Sequence, residues 1–383
     1  MKTFLSFILS TIISCIHAND FKTGAEQLDK YLPLLEGKNI AIVANQTSVI
    51  ENTHLVDTLL AKGVHITTIF SPEHGFRGNH DAGKKVTDGK DVTTGLSITS
   101  LYGKNKKPSA KQLHDIDVVL FDIQDVGVRF YTYLSTLHYV MEACAEQHKQ
   151  VIVLDRPNPN AHYIDGPVLD TAFRSFVGIH PIPVIYGCTL GEMAQMINGE
   201  KWLKKGVSCS LKVIALKDYT HQNCSILPVK PSPNLPNALS IAIYPSLCFF
   251  EPTVISIGRG TDFPFQVMGA PAFTDSSFTF TPRSIEGASK YPKHENEACF
   301  GTDLRNRTID THFTLSYLLN YYKAYPKKET FFTNEKFFNL LAGNNQLIEH
   351  VKQQISEQEI KKTWQKDLKT YKKIRKKYVL YRD

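Results

Sequence analysis

Four short, nearly continuous apolar runs punctuate the first half of the chain: Ile40-Ala41-Ile42-Val43-Ala44, Val64-His65-Ile66-Thr67-Thr68-Ile69-Phe70, Val118-Val119-Leu120-Phe121 and Val151-Ile152-Val153-Leu154. Runs this short and this rich in β-branched residues predict buried strands. Between them the periodicity changes to that of a helix. Leu55, Val56, Leu59 and Leu60 share one helical face that stops at Gly63; Leu134, Leu137, Val140, Met141 and Cys144 share another. Strands apolar on both faces, alternating with helices, predict a parallel α/β sheet covered on both sides.

Each run ends in polar residues. The first passes into Asn45-Gln46-Thr47-Ser48 and the second into Ser71-Pro72-Glu73-His74-Gly75-Phe76-Arg77-Gly78. The third passes into Asp122-Ile123-Gln124-Asp125-Val126-Gly127-Val128-Arg129, and the fourth into Asp155-Arg156-Pro157-Asn158-Pro159-Asn160. After the second run a carboxylate, an imidazole and a guanidinium crowd one turn, where Pro72 stops the strand and the glycines permit a sharp path. Open α/β sheets bind ligands just past the carboxyl ends of their strands. Four polar clusters at four such ends predict a cleft on one rim.

The second half is less regular. Thr189 and Glu192 have the spacing of a helix-capping box, which competes with a direct site role for Glu192. Pro231-Ser232-Pro233-Asn234-Leu235-Pro236-Asn237 predicts a rigid extended segment able to line a pocket. Gly258-Arg259-Gly260-Thr261 predicts a tight turn presenting a guanidinium. The α/β alternation fades near Phe250, so the expected division is a leader over 1–18, a catalytic domain over 19–250 and an auxiliary domain over 251–383. Helical patterns follow near 315–322 and 336–341. A final amphipathic helix carries Ile360, Trp364, Leu368, Tyr371, Ile374 and Tyr378 on its apolar stripe, with basic residues outward.

Composition adds compartment and excludes some classes. Met1 to Ala18 has the form of a secretory signal, with Lys2 ahead of an apolar stretch too short to span a bilayer. Export, to a periplasm or beyond, is expected, with Cys15 a candidate site of lipidation. The net charge of +7 over 383 residues owes much to the last amphipathic stretch, read as a solvated basic face, with attraction to anionic cell-wall polymer or membrane surface as the alternative; nothing points to nucleic acid. The later cysteines are dispersed, without metal-ligand spacing, and buried thiols are expected; Cys209 with Cys224 is the nearest candidate pair.

There is no GxGxxG, GxxxxGK[ST] or GxSxG, so nucleotide phosphates and an elbow serine lack their usual signals. His74, His80, Asp81, Asp122 and Asp155 could be imagined around a metal, but no ligand spacing supports one, and no cofactor is expected. Carboxylates (Glu73, Asp122, Asp125, Asp155), arginines (Arg77, Arg129, Arg156, Arg259) and aromatics (Tyr131, Tyr133) suit an acidic sugar. Carboxylates bond hydroxyls, rings stack on sugar faces, and arginine grips an acidic substituent. Glycoside cleavage needs a carboxylic acid beside the leaving oxygen and a second carboxylate, unless a 2-acetamido group on the substrate supplies the nucleophile.

In this order, Ser71–Gly78, Phe121–Tyr133, Asp155-Arg156-Pro157-Asn158-Pro159, Pro231-Ser232-Pro233-Asn234 and Gly258–Phe265 resemble the bacterial exo-β-N-acetylmuramidase family, the NamZ group, formerly a domain of unknown function. The resemblance spans essentially all of the chain after the leader. It implies a Rossmann-like domain with helices on both faces of the sheet, a smaller α+β C-terminal domain and an active site in the cleft between them. It further implies release of N-acetylmuramic acid from non-reducing ends of peptidoglycan fragments; the rival is a catalytically silent muropeptide-binding protein. On this resemblance Glu73 is the expected acid, with Asp122 or Asp125 as second carboxylate. Arg77, Arg129 and Arg156 compete for the lactyl carboxylate, while Tyr131, Asn158, Asn234 and Arg259 shape the sugar pocket. Asn45, His74, Gln124, Asp155 and Glu192 complete the expected substrate-binding set. Two positions depart from the family pattern: Tyr186-Gly187 stands for His-Gly, and Glu251-Pro252-Thr253-Val254 for Glu-Gly-Thr-Asn.

Overall fold

The structure, a computed structural model, describes residues 21–73, 75–77, 88–223, 226–274, 277–306 and 312–383. The leader, Cys15, His74, Gly78, His80, Asp81 and Cys224 lie outside the described residues. The strands in chain order are β1 (Ile40–Ala44), a hairpin of β2 (Val49–Ile50) and β3 (Thr53–His54), β4 (Ile66–Ser71), β5 (Gly89–Lys90), β6 (Ser97–Ser100), β7 (Val118–Asp122), β8 (Gln150–Leu154) and β9 (Ser210–Ile214). Seven of them form one sheet in the order β5-β6-β4-β1-β7-β8-β9, parallel except for β5 at the edge. The expected α/β class and the four expected strands are all present.

Side-chain alternation explains why both faces are covered. Ala41, Val43, Val119, Phe121, Val151 and Val153 enter one apolar cluster, whereas Ile40, Ile42, Val118, Leu120, Ile152 and Leu154 enter the other. Adjacent residues on a strand point to opposite faces, so each strand feeds two cores. Helices Leu28–Leu35 and Leu55–Ala61 seal the second cluster, and helices Tyr133–Glu146 and Leu190–Gly199 the first.

Beyond helix Ala238–Leu247 the chain builds a small antiparallel sheet from β10 (Val267–Ala270), β11 (Thr279–Phe280) and β12 (Cys299–Asp303), in the order β10-β12-β11. Helices Ser316–Ala324, Glu335–Ala342, Gln346–Lys352, Glu357–Thr363 and Gln365–Arg375 follow. Phe249, Phe313, Phe338, Leu341, Trp364 and Tyr371 join the first apolar cluster, so this region closes over one face of the large sheet. The terminal amphipathic stretch docks by its stripe as expected, but it breaks into two helices at Trp364. Cys144, Cys188, Cys209, Cys248 and Cys299 are free and buried. Among the described residues no helix is long and apolar enough to cross a membrane.

Candidate functional site

The strand order reverses at β1, the kind of switch point at which α/β sheets place ligands. Glu73 leaves the end of β4 there. Its carboxylate accepts a 3.0 Å hydrogen bond from the hydroxyl of Thr132, which starts the helix Tyr133–Glu146 beyond the end of β7. Tyr102, in the loop after β6, bonds the same carboxylate; burial and then the Glu73 charge push the Tyr102 phenol upward in pKa. Hydroxyls suit a carboxyl group that changes protonation, because they donate to the anion and accept from the acid.

Glu73 and Thr132 face a cleft of about 950 Å³ whose far wall carries Glu251, Arg259 and residues 288–291 from the C-terminal region. Glu73, Phe130, Thr132, Tyr244 and Arg259 also border a recess of about 80 Å³, completed by Tyr131, Tyr133, Ser232 and Asn234 among others. The Pro-rich segment forms a wall of this recess. Tyr131 donates to the Pro231 carbonyl at 2.9 Å, and the Asn234 amide reaches the Ala288 carbonyl at 2.9 Å, tying both halves of the molecule together.

Arg259 sits where its flanking glycines predict, in a turn with φ +79° at Gly258 and +82° at Gly260. A Cβ at Gly258 would lie 2.6 Å from the Phe263 carbonyl oxygen, so only glycine fits. The guanidinium pairs with Glu251 at 2.6 and 2.7 Å and lies 5.2 Å from the centroid of the Phe265 ring. Beside them Lys293 donates to the Phe250 and Ile255 carbonyls, and burial pulls its pKa down to about 8.

Residues 40–239 match the N-terminal domain model of the exo-β-N-acetylmuramidase NamZ, and residues 242–381 match its C-terminal domain model. The chain belongs to this family. It is 37% identical to the peptidoglycan β-N-acetylmuramidase NamZ of Bacillus subtilis (strain 168), across 94% of this chain and 91% of that protein. Two crystal structures of DUF1343 family proteins from Bacteroides fragilis NCTC 9343 superpose with TM-scores of 0.88 and 0.83. They are 45% and 31% identical, covering 95% and 94% of this chain and 99% of each of theirs.

Within this family frame, five of the residues singled out from the sequence meet at the cleft and its recess: Glu73, Tyr131, Tyr133, Asn234 and Arg259. The three arginines expected to compete for an acidic substituent are engaged elsewhere, and that expectation is corrected. Arg77 pairs with Asp91 at 2.8 Å and with Asp57 at 3.5 Å. Arg156 forms a two-point bond with Asp122 at 2.6 and 2.9 Å, with both side chains buried, so Asp122 is no free second carboxylate. Arg129 is buried and donates only to backbone carbonyls, those of Pro167, Ile182, Leu341 and Ala342.

Several other expected ligands hold the rim together instead. Asn45 accepts from Thr47 and donates to Tyr133; Gln124 donates to the Asp125 and Pro157 carbonyls. Asn158 donates to the Cys188 carbonyl and packs beneath Gly127, where a Cβ would fall 2.0 Å from its Oδ1 at φ +74°. Asp155 accepts from Thr189, Gly191 and Tyr381. Glu192 makes the predicted capping box and also takes bonds from His221 and the Leu380 amide, so capping wins over a site role.

Asp125 lies behind the cleft lining. It accepts from Tyr186 at 2.6 Å and from the Gly127 amide at 2.7 Å, while burial pushes its carboxyl up to about 6. Tyr186, one of the departures from the family pattern, thus supplies a hydrogen bond to Asp125. The other departure frames Glu251, which shares the cleft with Glu73 and was visible in the sequence only as part of an altered motif. Thr132 stood inside the Phe121–Tyr133 motif without a role of its own, and Tyr102 carried no sequence signal. Among the described residues no group of three His, Cys, Asp or Glu side chains is placed to hold a metal.

Proposed function

We propose that this protein is an exo-acting glycoside hydrolase that removes N-acetylmuramic acid from the non-reducing ends of peptidoglycan fragments. The observation that carries the reading is Glu73, held by two hydroxyls at the junction of the open cleft and its recess, in the motif that the family shares. The recess takes a substituent of the terminal sugar, so the chain end enters first and the bond to be broken lies at Glu73. Glu73 donates its proton to the glycosidic oxygen as the bond from that oxygen to C1 breaks. The acetamido oxygen of the same sugar closes on C1, and water later reopens that ring. Glu251, fixed by Arg259, is the second carboxylate in reach of the cleft and steadies the acetamido group or the water.

Incubation with the disaccharide MurNAc-GlcNAc tests the reading. The protein should release free N-acetylmuramic acid, and Glu73→Gln should lower kcat by on the order of a hundredfold or more while still binding the disaccharide. Saturable binding without any product would support a silent muropeptide-binding protein instead. The anomer first formed distinguishes retention from inversion. We propose in addition that the chain is exported with cleavage after Ala18; the N-terminal sequence of the secreted protein checks this.

A further inference from the structure

The outer part of the cleft has a character that the inner part lacks. One wall there is aromatic and assembled in advance: Phe176 stacks on Tyr139 with centroids 6.3 Å apart and planes 15° apart, and Tyr102 packs against it at 6.2 Å. Lys106 lies with its ammonium 4.6 Å from the Phe176 centroid. The opposite wall comes from the C-terminal region, where Lys290 lies 5.6 Å from the centroid of Tyr291, a ring 81% exposed. Phe176, Lys106, Lys290 and Tyr291 line the wide cleft but not the recess. No ion pair within the described residues occupies either ammonium, whereas Arg259, the cation at the inner end, is paired with Glu251.

We propose that this outer segment is a subsite for the leaving side of the substrate, recognising a carboxylate on the next muramyl residue. The inference rests on the muramidase reading above. With the terminal sugar at the recess and Glu73 at the bond to be cut, the rest of the glycan must leave through the outer cleft. A flat ring wall takes the face of a sugar, and cation–π contact holds each ammonium over its ring with donors still turned to the cleft. In a disaccharide the leaving sugar is neutral. In a longer fragment the following muramyl residue brings its lactyl carboxylate, or the carboxylates of an attached peptide, between the two lysines. Lysine serves here better than arginine because a point charge tolerates carboxylates at variable positions.

The test compares kcat/KM on three tetrasaccharides with a muramyl residue at the non-reducing end. The second muramyl residue carries a free lactyl carboxylate, an amidated one or a peptide. The wild type should prefer the free acid over the amide by roughly fivefold at low salt, with the preference shrinking as salt rises. Lys106→Ala/Lys290→Ala should reduce that preference to near unity. A stronger preference for the peptide-bearing substrate would place the carboxylates recognised on the peptide rather than the lactyl group. Equal rates on acid and amide in the wild type, or a preference that survives the double variant, would overturn the subsite. Equilibrium binding of the same acid and amide reads the subsite even if no sugar is released, so a failure of the catalytic reading is seen separately.

Discussion

At Arg129 a guanidinium is consumed by four backbone carbonyls, at 2.6 Å to Pro167, and 2.8 Å to Ile182, Leu341 and Ala342. Burial disfavours its charge, and the carbonyl dipoles are its compensation. Two of those carbonyls belong to the end of helix Glu335–Ala342, so the residue also ties the large sheet's loops to the C-terminal region. Arg129→Met should cost on the order of 3–5 kcal/mol, since it strands several buried acceptors at once. Arg129→Lys should recover only part of this, because an ammonium has three donors and no planar fork. Denaturant midpoints measure the loss; KM of the folded fraction should not move. An unchanged midpoint with a raised KM would return Arg129 to substrate binding. A sequence shows that a polar residue stands at a strand end, not whether it faces the ligand or the backbone behind it. Arg259 was legible because its flanking glycines define the turn, whereas Arg129 and Arg156 had no such local frame, and the glycines around Arg77 did not reveal that Asp91 and Asp57 engage it.

Elements differ in how much of themselves they declare. The buried strands β1, β4, β7 and β8 read clearly because both of their faces are apolar. β9, an edge strand with alternating exposure, and helix Ala238–Leu247, which contains Pro245, did not. Helix Tyr133–Glu146 was found from its apolar face, yet that face also carries His138, whose Nδ1 lies 3.0 Å from Nε2 of His180. His180 in turn stacks on Trp202 with centroids 5.1 Å apart. Burial pulls His138 down to about 4 and His180 well below its ordinary value, Arg174 adding to both, while Glu142 works the other way on His138. In the unfolded chain both rings take up protons near pH 6.5. The buried neutral pair therefore contributes stability that is whole above that pH and is lost as pH falls from about 6.5 towards 4. The buried carboxyls of Asp125 and Asp155, both raised to about 6, work in the opposite direction below that pH. The pair is isolated by difference. Against His138→Gln/His180→Gln, the advantage of the wild type in denaturant midpoint should shrink steadily between pH 7 and pH 5. A constant difference would mean that the rings take up protons as readily in the folded protein as in the unfolded chain.

For the whole molecule, the expected division near Phe250 describes the chain better than it describes the core. One apolar cluster runs from Val43 and Phe121 on the sheet through Phe249 and Phe250 to Phe338, Trp364 and Tyr371. Helix Gln365–Arg375 then returns to the first half: Tyr371 donates to the Tyr186 carbonyl and Arg375 to the Gly187 carbonyl. Past it, Tyr381 donates to Asp155, and Asp383 pairs with Arg375, which holds its carboxyl down at about 2. None of this is local in sequence, which is why the helical periodicity of the last segment predicted an apolar stripe but not its partner. A chain of this length ordinarily divides into domains that unfold in separate steps. A shared core and a C-terminal segment locked into the first half favour a single step instead. Denaturant unfolding followed by tryptophan fluorescence and by far-ultraviolet circular dichroism should give coincident transitions, since Trp202 lies before the expected boundary near Phe250 and Trp364 after it. The fragment 251–383 alone should stay unfolded, because Phe338, Trp364 and Tyr371 would lose the surface they pack against. Two resolved transitions, or a folded fragment, would show that the cleft walls are independent bodies. The Arg129→Met variant sharpens the comparison: it should shift one common midpoint for both probes rather than separate them.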